Sequence, residues 1–590
     1  MSPEEMYVSP FCNYNKKAER RSVNINGNGY AEVDFGHLIA PLKGLKYRLN
    51  IGYNYLPART STYAGLASYD KNGTAKTINY ETNAYTIENI FSYAKDFGKH
   101  HIDLTGLYSA QNKKYLETTA QAVGFVNDIL GFNYLDGGTT QTTKSYSSRY
   151  AAESWMGRIN YSYDSRYLFT FTVRRDGSSV FGANTSKWGT FPSVALGWNI
   201  AREEFMKKAD WLNNLKLRLS YGKSGNEAIS VYETISKYNA SSIAMNGKTL
   251  TGIYPGTMLG NGNLSWETTK SFNVGLDWGL LDNRFTGTFD FYDSRTTGLL
   301  LKRNLPKASG YQSVYENIGK TKNLGLEATV TSRNIVTKDF TWETSLVFAT
   351  NHNEIVDLYG DKKDDIGNRW FIGKAISSIY DYKMLGIWQQ SEIDAGTNKG
   401  WDDNAVAGDI KFEDVNKDGK ITSDDKVVLG HSDPSWTGGL TNKFTYKNWA
   451  LSVFVQTAQG MWKYNTDIKT YDETWRINTP KVFGYWTATN MNNEYPRLTY
   501  NNNYGYGYAR KASYTRLKDI TLSYTFDKSM IDRLGLGSLT VYATGTNLHT
   551  WTPWVGWDPE ASFSTRGSGS WEDNYPLTKS FVIGINLTLK

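Results

Sequence analysis

Residues Leu45-Lys46-Tyr47-Arg48-Leu49-Asn50-Ile51-Gly52-Tyr53 decide how the rest of the chain is read. Side chains on an extended strand alternate between two faces. Leu45, Tyr47, Leu49, Ile51 and Tyr53 therefore share one face, and Lys46, Arg48, Asn50 and Gly52 share the other. The pattern returns at Leu215, Leu217, Leu219 and Tyr221 against Lys216, Arg218 and Ser220, and again at Phe272, Val274, Leu276 and Trp278 against Asn273, Gly275 and Asp277. It closes the chain, where Phe581, Ile583, Ile585, Leu587 and Leu589 alternate with Val582, Gly584, Asn586 and Thr588. A soluble sandwich also alternates, but charged residues inside long strands fit a wet lumen better than a dry core. The pattern predicts an all-β, transmembrane antiparallel β-barrel with lipid outside and water within.

The composition of the 590 residues fits such a wall. Apolar residues are only 39%, whereas aromatics reach 15%, with 42 Tyr and 19 Trp. A one-layer wall needs few core residues, and Tyr and Trp suit membrane interfaces, where one end of the ring is apolar and the other wet. A net charge of +7 from well-mixed Lys, Arg, Asp and Glu gives no basic patch, so nucleic acid is not expected as a partner. The lone Cys12 allows no intrachain disulfide and reads as an incidental thiol. No apolar run is long enough for a transmembrane helix. Met1-Ser2-Pro3-Glu4-Glu5 lacks the features of a signal peptide.

Connections alternate in length. Short turns are expected at 163–166, 280–284 and 446–449. Long polar stretches lie near 57–79, 113–143, 223–265, 351–436, 460–511 and 548–577. Outer-membrane barrels have this asymmetry, with short periplasmic turns and long extracellular loops. The reading gives about 17 strands. They lie near 20–35, 44–56, 80–94, 99–112, 144–163, 166–178, 189–200, 214–222, 266–279, 285–297, 319–333, 339–350, 437–446, 449–459, 512–526, 538–547 and 578–590. The first strand then runs inward, so the reading expects upstream strands missing from this chain.

Several segments carry a resemblance. Gly197-Trp198-Asn199-Ile200 precedes Glu204-Phe205 and the strand Leu215–Gly222. Asn317-Ile318-Gly319 precedes Asn323-Leu324-Gly325-Leu326-Glu327, then Asn351-His352-Asn353-Glu354-Ile355-Val356. Arg516-Leu517-Lys518-Asp519-Ile520, Gly545-Thr546-Asn547-Leu548, Asp558-Pro559-Glu560 and Tyr575-Pro576 follow. Together these resemble the SusC/RagA family of TonB-dependent transporters over most of the chain. The resemblance implies a barrel of about 22 strands around a plug. It also implies a SusD-like surface lipoprotein as lid, energy from the TonB-ExbB-ExbD complex, and oligosaccharides or peptides as cargo. It places residues 1–590 as the barrel portion, in the outer membrane of a Gram-negative bacterium among its lipids. Plug, TonB box and leader are not found in the sequence, so this polypeptide alone is not expected to transport.

Residues 414–425 have the spacing of a calcium loop. Asp414, Asn416 and Asp418 stand at positions 1, 3 and 5, Gly419 at the sharp turn, Lys420 at the backbone-carbonyl position, Thr422 at position 9 and Asp425 at position 12. Oxygen ligands spaced in this way converge on one hard cation, and Ca2+ would stiffen the long loop at 351–436. Asp in place of Glu at position 12 shortens the last ligand. The flanks, 408–412 and 426–430, read as extended rather than helical. Similar loops occur in proteins that resemble SusC. The other reading is a solvated Asp/Asn/Gly turn with no ion.

Tyr500, Tyr504, Tyr506 and Tyr508 among Asn501, Asn502 and Asn503 offer faces and amides suited to sugars, as do Trp551, Trp554 and Trp557. Tyr504, Tyr506 and Trp554 are the candidate substrate contacts; the competing reading is an aromatic girdle at a strand top. The six histidines show no metal spacing, and His100-His101 reads as a polar turn pair. No nucleophile elbow or P-loop is present, so no catalytic residue is expected. Besides import, two other classes remain: a surface-binding or adhesin barrel, and a soluble β-rich glycan-processing enzyme.

Overall fold

A computed structural model describes residues 16–66, 72–465, 468–469, 484–556, 558–560 and 577–590. Cys12, Trp557 and the pair Tyr575-Pro576 lie outside the described residues. Strands take up 62% of the described residues and helices 7%.

Eighteen strand segments belong to one large antiparallel sheet. The first two, Lys16–Ser22 and Ile25–Asp34, both pair with the next strand in one continuous register, Ser22 opposite Ala58 and Ile25 opposite Tyr55. They are halves of a single strand interrupted at Val23-Asn24, so the sheet has 17 strands. We number them β1 (those two halves), β2 (Leu45–Ala64), β3 (Thr74–Phe97), β4 (His100–Phe125), β5 (Gly138–Tyr163), β6 (Tyr167–Ser178), β7 (Trp188–Asn199), β8 (Leu212–Asn226), β9 (Glu267–Leu280), β10 (Phe285–Thr297), β11 (Lys320–Val336), β12 (Phe340–Asp357), β13 (Trp436–Tyr446), β14 (Trp449–Gln459), β15 (Tyr514–Thr525), β16 (Leu536–Trp551) and β17 (Ser580–Leu589). Each of the 17 strands read from alternation has its counterpart here.

The chain divides into two compact units. In the first, which holds most of β1 to β7, the ladder from β1 to β6 is unbroken between sequence neighbours. Two rows of one face can be followed across it: Leu45–Tyr93–Leu104–Ile159–Phe171 and Tyr47–Phe91–Gly106–Gly157–Val173. Phe91, Leu104, Ile159, Phe171 and Val173 on these rows are exposed although large and apolar. Water would penalise such a surface; lipid would not. On the opposite face Lys46 lies 3.5 Å from Glu32, and Asn50 Nδ2 donates to Glu88 at 3.1 Å. The alternation of residues 45–53 thus becomes an apolar face and a charged, mutually paired face.

The short connections are tight turns with left-handed residues. Asp164 and Ser165 (φ 53° and 52°) turn β5 into β6, and Gly98 (φ 62°) turns β3 into β4. Beside that turn His100 Nδ1 lies 2.8 Å from Tyr161 Oη and His101 Nδ1 2.7 Å from Asp96, a polar turn pair.

The strand ends depart from the sequence reading. The stretches 57–79 and 113–143 were expected as loops, but much of each is strand. β4 and β5 run 26 residues each, about 85 Å along the strand, whereas crossing the bilayer takes about 9–11 residues. Beyond the lipid no rule sorts the two faces, so Thr, Gln, Lys and Asn occupy both over much of these ends and the alternation that marks a strand vanishes, although Tyr63, Ala75, Ala122 and Phe125 bury one another locally.

The second unit holds β11 to β17, again paired neighbour to neighbour. Aromatic rings gather where β13 turns into β14. Trp449 lies 4.8 Å from Tyr524, and Trp342 stacks on Phe444 at 5.7 Å. This is where an interfacial girdle belongs. In the same unit Arg218 of β8 donates to Asp277 of β9 (3.0 Å) and to Asp290 of β10 (2.8 Å). Gly275 leaves room for this bridge, since a Cβ there would lie 2.5 Å from both the guanidinium carbon and Asp290.

Candidate functional site

The long segments of the second unit fold into a packed body of their own. Three short ladders frame it: Ser378–Tyr382 with Lys426–His431, Met384–Ile387 with Ile410–Phe412, and Trp462–Tyr464 with Ala509–Lys511. None is long enough to stand alone in water. They are held by an aromatic core in which Tyr382, Ile387, Ile410, Phe412, Trp486, Tyr500, Tyr506 and Tyr508 are buried.

Two of the candidate sugar-stacking residues are in this core. Tyr506 is 1% exposed; its ring lies 5.0 Å from Phe412 and 4.7 Å from Tyr508, and its hydroxyl accepts from Arg510 at 2.7 Å. Tyr504 is half-buried, edge-on to Tyr382 and Phe412, and donates to Asp402 at 3.3 Å. Burial, then the adjacent Asp402 carboxylate, pushes the Tyr504 phenol up to about 12. Trp554, 6% exposed, packs with Ala458, Met461, Ala512 and Tyr514 in a second cluster. The three residues occupy two separate packing clusters, and the faces of Tyr506 and Trp554 are covered by protein. In this conformation the rings of Tyr506 and Trp554 are not open to a solute. Tyr spaced two apart looks identical in sequence whether the rings meet solvent or meet Phe412.

The Asp558-Pro559-Glu560 motif is fastened to β15 by Arg516, whose side chain is fully buried. Its guanidinium donates twice to Asp558, both at 2.9 Å, and to Glu560 at 2.6 Å; its Nε donates to Thr550 at 2.9 Å. All three nitrogens are engaged, as a buried guanidinium requires.

Residues 414–425 form a curled loop. Lys417 (φ 60°) and Gly419 (φ 78°) adopt left-handed conformations that bend it. Asp414 Oδ2 accepts from Gly419 N at 2.9 Å, Asn416 Oδ1 from Asp418 N at 3.0 Å, and Asp418 Oδ1 from Lys420 N at 2.9 Å. Asp425 is fully buried and accepts from Val415 N at 2.9 Å and Thr422 N at 2.7 Å. The flanks are the strands Ile410–Phe412 and Lys426–His431, extended as read. Asp414 Oδ1 is buried with no hydrogen-bond partner among the described residues. An all-oxygen donor set with one orphaned carboxylate oxygen fits a hard cation. No three carboxylate, imidazole or thiol groups converge among the described residues, so a cation here would also need the Asn416 amide and the Lys420 carbonyl. Asp425 uses both oxygens on backbone amides and closes the loop.

The profile of the family described as TonB dependent receptor-like, beta-barrel matches residues 11–548. The chain belongs to that family. It is 33% identical over 96% of its length to TonB-dependent receptor P3 of Formosa agariphila, and 32% identical over 75% of its length to TonB-dependent receptor SusC of Bacteroides thetaiotaomicron. It superposes on a chain of the RagAB peptide transporter with a TM-score of 0.81 at 27% identity, covering 98% of this chain. The matches span 58% of P3, 44% of SusC and 63% of the RagAB chain. The relatives are receptors and transporters, a non-enzymatic family, and their place is the outer membrane. The exposed apolar rows of the first unit are accordingly the lipid-facing side of a transmembrane β-barrel. No described helix is long and apolar enough to cross a membrane; the strands cross instead.

Proposed function

We propose that this barrel belongs to a TonB-dependent importer that takes up oligosaccharides or peptides together with a SusD-like lipoprotein. Energy would come from the TonB-ExbB-ExbD complex. The observation that carries the reading is the fit to the RagAB transporter over nearly the whole chain, alongside 33% identity to a TonB-dependent receptor. The charged, internally paired face of β1 to β3 suits a wet conduit, and the packed loop body suits an outer vestibule that holds its shape without cargo. In this reading Ca2+ at 414–425 braces the vestibule, with Asp414, Asn416, Asp418, the Lys420 carbonyl and Asp425 as ligands. The test is growth on, and uptake of, labelled glycan fragments and peptides by cells with and without the gene. Uptake that requires both the gene and TonB, with a surface lipoprotein co-purifying, is expected. Surface binding of the same solutes with no TonB-dependent entry would refute import and favour an adhesin.

A further inference from the structure

The loop body contains a groove of about 380 Å³ whose charged lining is mostly cationic. Lys383, Arg510 and Lys511 contribute positive charge, and Glu494 is the one carboxylate. Lys383 is already paired with Glu413 at 2.9 Å. Arg510 and Lys511 form no ion pair with a carboxylate among the described residues.

Arg510 is the unusual member. Its side chain is half-buried, yet its hydrogen-bond partners among the described residues are the Tyr506 hydroxyl (2.7 Å), the Ala509 carbonyl (3.1 Å) and the Met384 sulfur (3.4 Å). The first two both take Nη1, and a thioether is a weak acceptor. The remaining N–H groups of the fork are not bonded to oxygen among the described residues. Compare Arg516 in the same unit, where every guanidinium nitrogen meets an oxygen and two carboxylates balance the charge. A partly desolvated guanidinium without an anion is costly unless an anion arrives. The fork is also held in place: Tyr506 is locked in the aromatic core, and Arg510 lies over the Tyr506 and Tyr508 rings at 6.0 and 5.7 Å. The neighbouring walls are Trp462 and Tyr495, apolar faces for the body that carries the anion.

We propose that this groove binds a carboxylate of the cargo, held by the Arg510 fork with Lys511 beside it, so that the importer of the preceding section prefers acidic solutes. A planar carboxylate matches the guanidinium in a bidentate pair, which an ammonium cannot reproduce. Glu494, on the same groove, opposes the incoming charge and limits affinity. The inference rests on the import reading for its cargo but not for its chemistry.

The test is calorimetric titration of the purified full chain in detergent. The probes are a digalacturonate, its neutral dimethyl ester, an N-acetyl dipeptide and the N-acetyl dipeptide amide. Binding of either acid at least about tenfold tighter than its neutral partner is expected, weakening as salt rises. Which acid prevails identifies the source of the carboxylate. Arg510→Gln should remove that preference, and Glu494→Gln should strengthen acid binding a few-fold. Because Arg510 also braces Tyr506, Arg510→Lys serves as the folding control: it should keep the charge and recover only part of the affinity. Equal affinity for acid and neutral probes, or an unchanged preference in Arg510→Gln, overturns the proposal. TonB-dependent uptake with no acid preference would sink the groove and leave import standing. Acid-selective binding without TonB-dependent uptake would do the reverse.

Discussion

Replacing Arg516 by Met should free the segment at Asp558–Glu560 while leaving the strands in place. Met fills a similar volume, so the main loss is charge. Arg516 is wholly buried, and Asp558 retains only 10% of its side-chain exposure. Removing one partner of such a pair strands the other carboxylate and costs about 3–5 kcal/mol. Glu560, at 34% exposure, can turn to water and adds little. The Glu560 amide donates to Asp558 at 2.8 Å, so its exchange with solvent reports whether the segment is closed. If opening is local, about 3 kcal/mol corresponds to roughly a hundredfold faster exchange at 558–560, with amides in the middle of β15 and β16 unchanged. The assay is hydrogen exchange read by mass spectrometry on the protein in detergent. Adding Asp558→Leu to Arg516→Met should recover part of the protection, because no orphaned charge remains at that site. Exchange within about threefold of the unsubstituted protein would refute the view that this ion cluster fastens the segment.

Three further outcomes follow from the loop body. Tyr506→Ala should destabilise it by about 3–5 kcal/mol, as loss of a buried ring does, and Trp554→Ala should do the same in its own cluster; urea unfolding followed by tryptophan fluorescence measures both. Ca2+ should raise the unfolding free energy by about 2.7 kcal/mol at a hundredfold excess over its dissociation constant, and Asp414→Ala with Asp418→Ala should abolish the rise; an identical response in that variant would exclude the site. Burial pushes the Glu392 carboxyl up, but hydrogen bonding from Gln389 N and the Lys411 ammonium outweighs it, so the folded value lies below the usual carboxylate range. Its contribution is therefore present above that range and lost as pH falls through the lowered folded value. Glu392→Gln should flatten the acid side of a profile of unfolding free energy against pH by at most about 1 kcal/mol, since Glu392 is 33% exposed.

The wall was legible because lipid imposes a rule on every second residue. Leu104, Ile159 and Phe171 must be apolar whatever surrounds them, so 17 strands can be read from period-two alternation alone. Their ends could not be read, since above the bilayer lipid no longer sorts the faces: most of β5 at 139–147 is exposed on both, whereas Ala122 and Phe125 of β4 are buried by a distant contact with Tyr63 and Ala75. The loop body was opaque for a different reason: its contacts are distant in sequence. Tyr506 packs on Phe412, and Arg510 approaches Met384; nothing near either residue says which side of the ring or the guanidinium will be covered. The Asp558-Pro559-Glu560 motif was visible, but Arg516 lies 42 residues upstream of Asp558, and no local signal pairs them. The curl at 414–425 is the exception, because its side-chain oxygens accept from backbone amides only two to ten residues away, a local constraint that survives in the sequence.

The central claim is that one face of the strands meets lipid and the other meets water. Single cysteines can be placed in turn at positions 102 to 109 of β4, with Cys12 first changed to Ser, and labelled with a fluorophore in proteoliposomes containing spin-labelled lipid. The account predicts strong quenching at 102, 104, 106 and 108 and weak quenching at 103, 105, 107 and 109. Uniform quenching along the series, or none at any position, would contradict it.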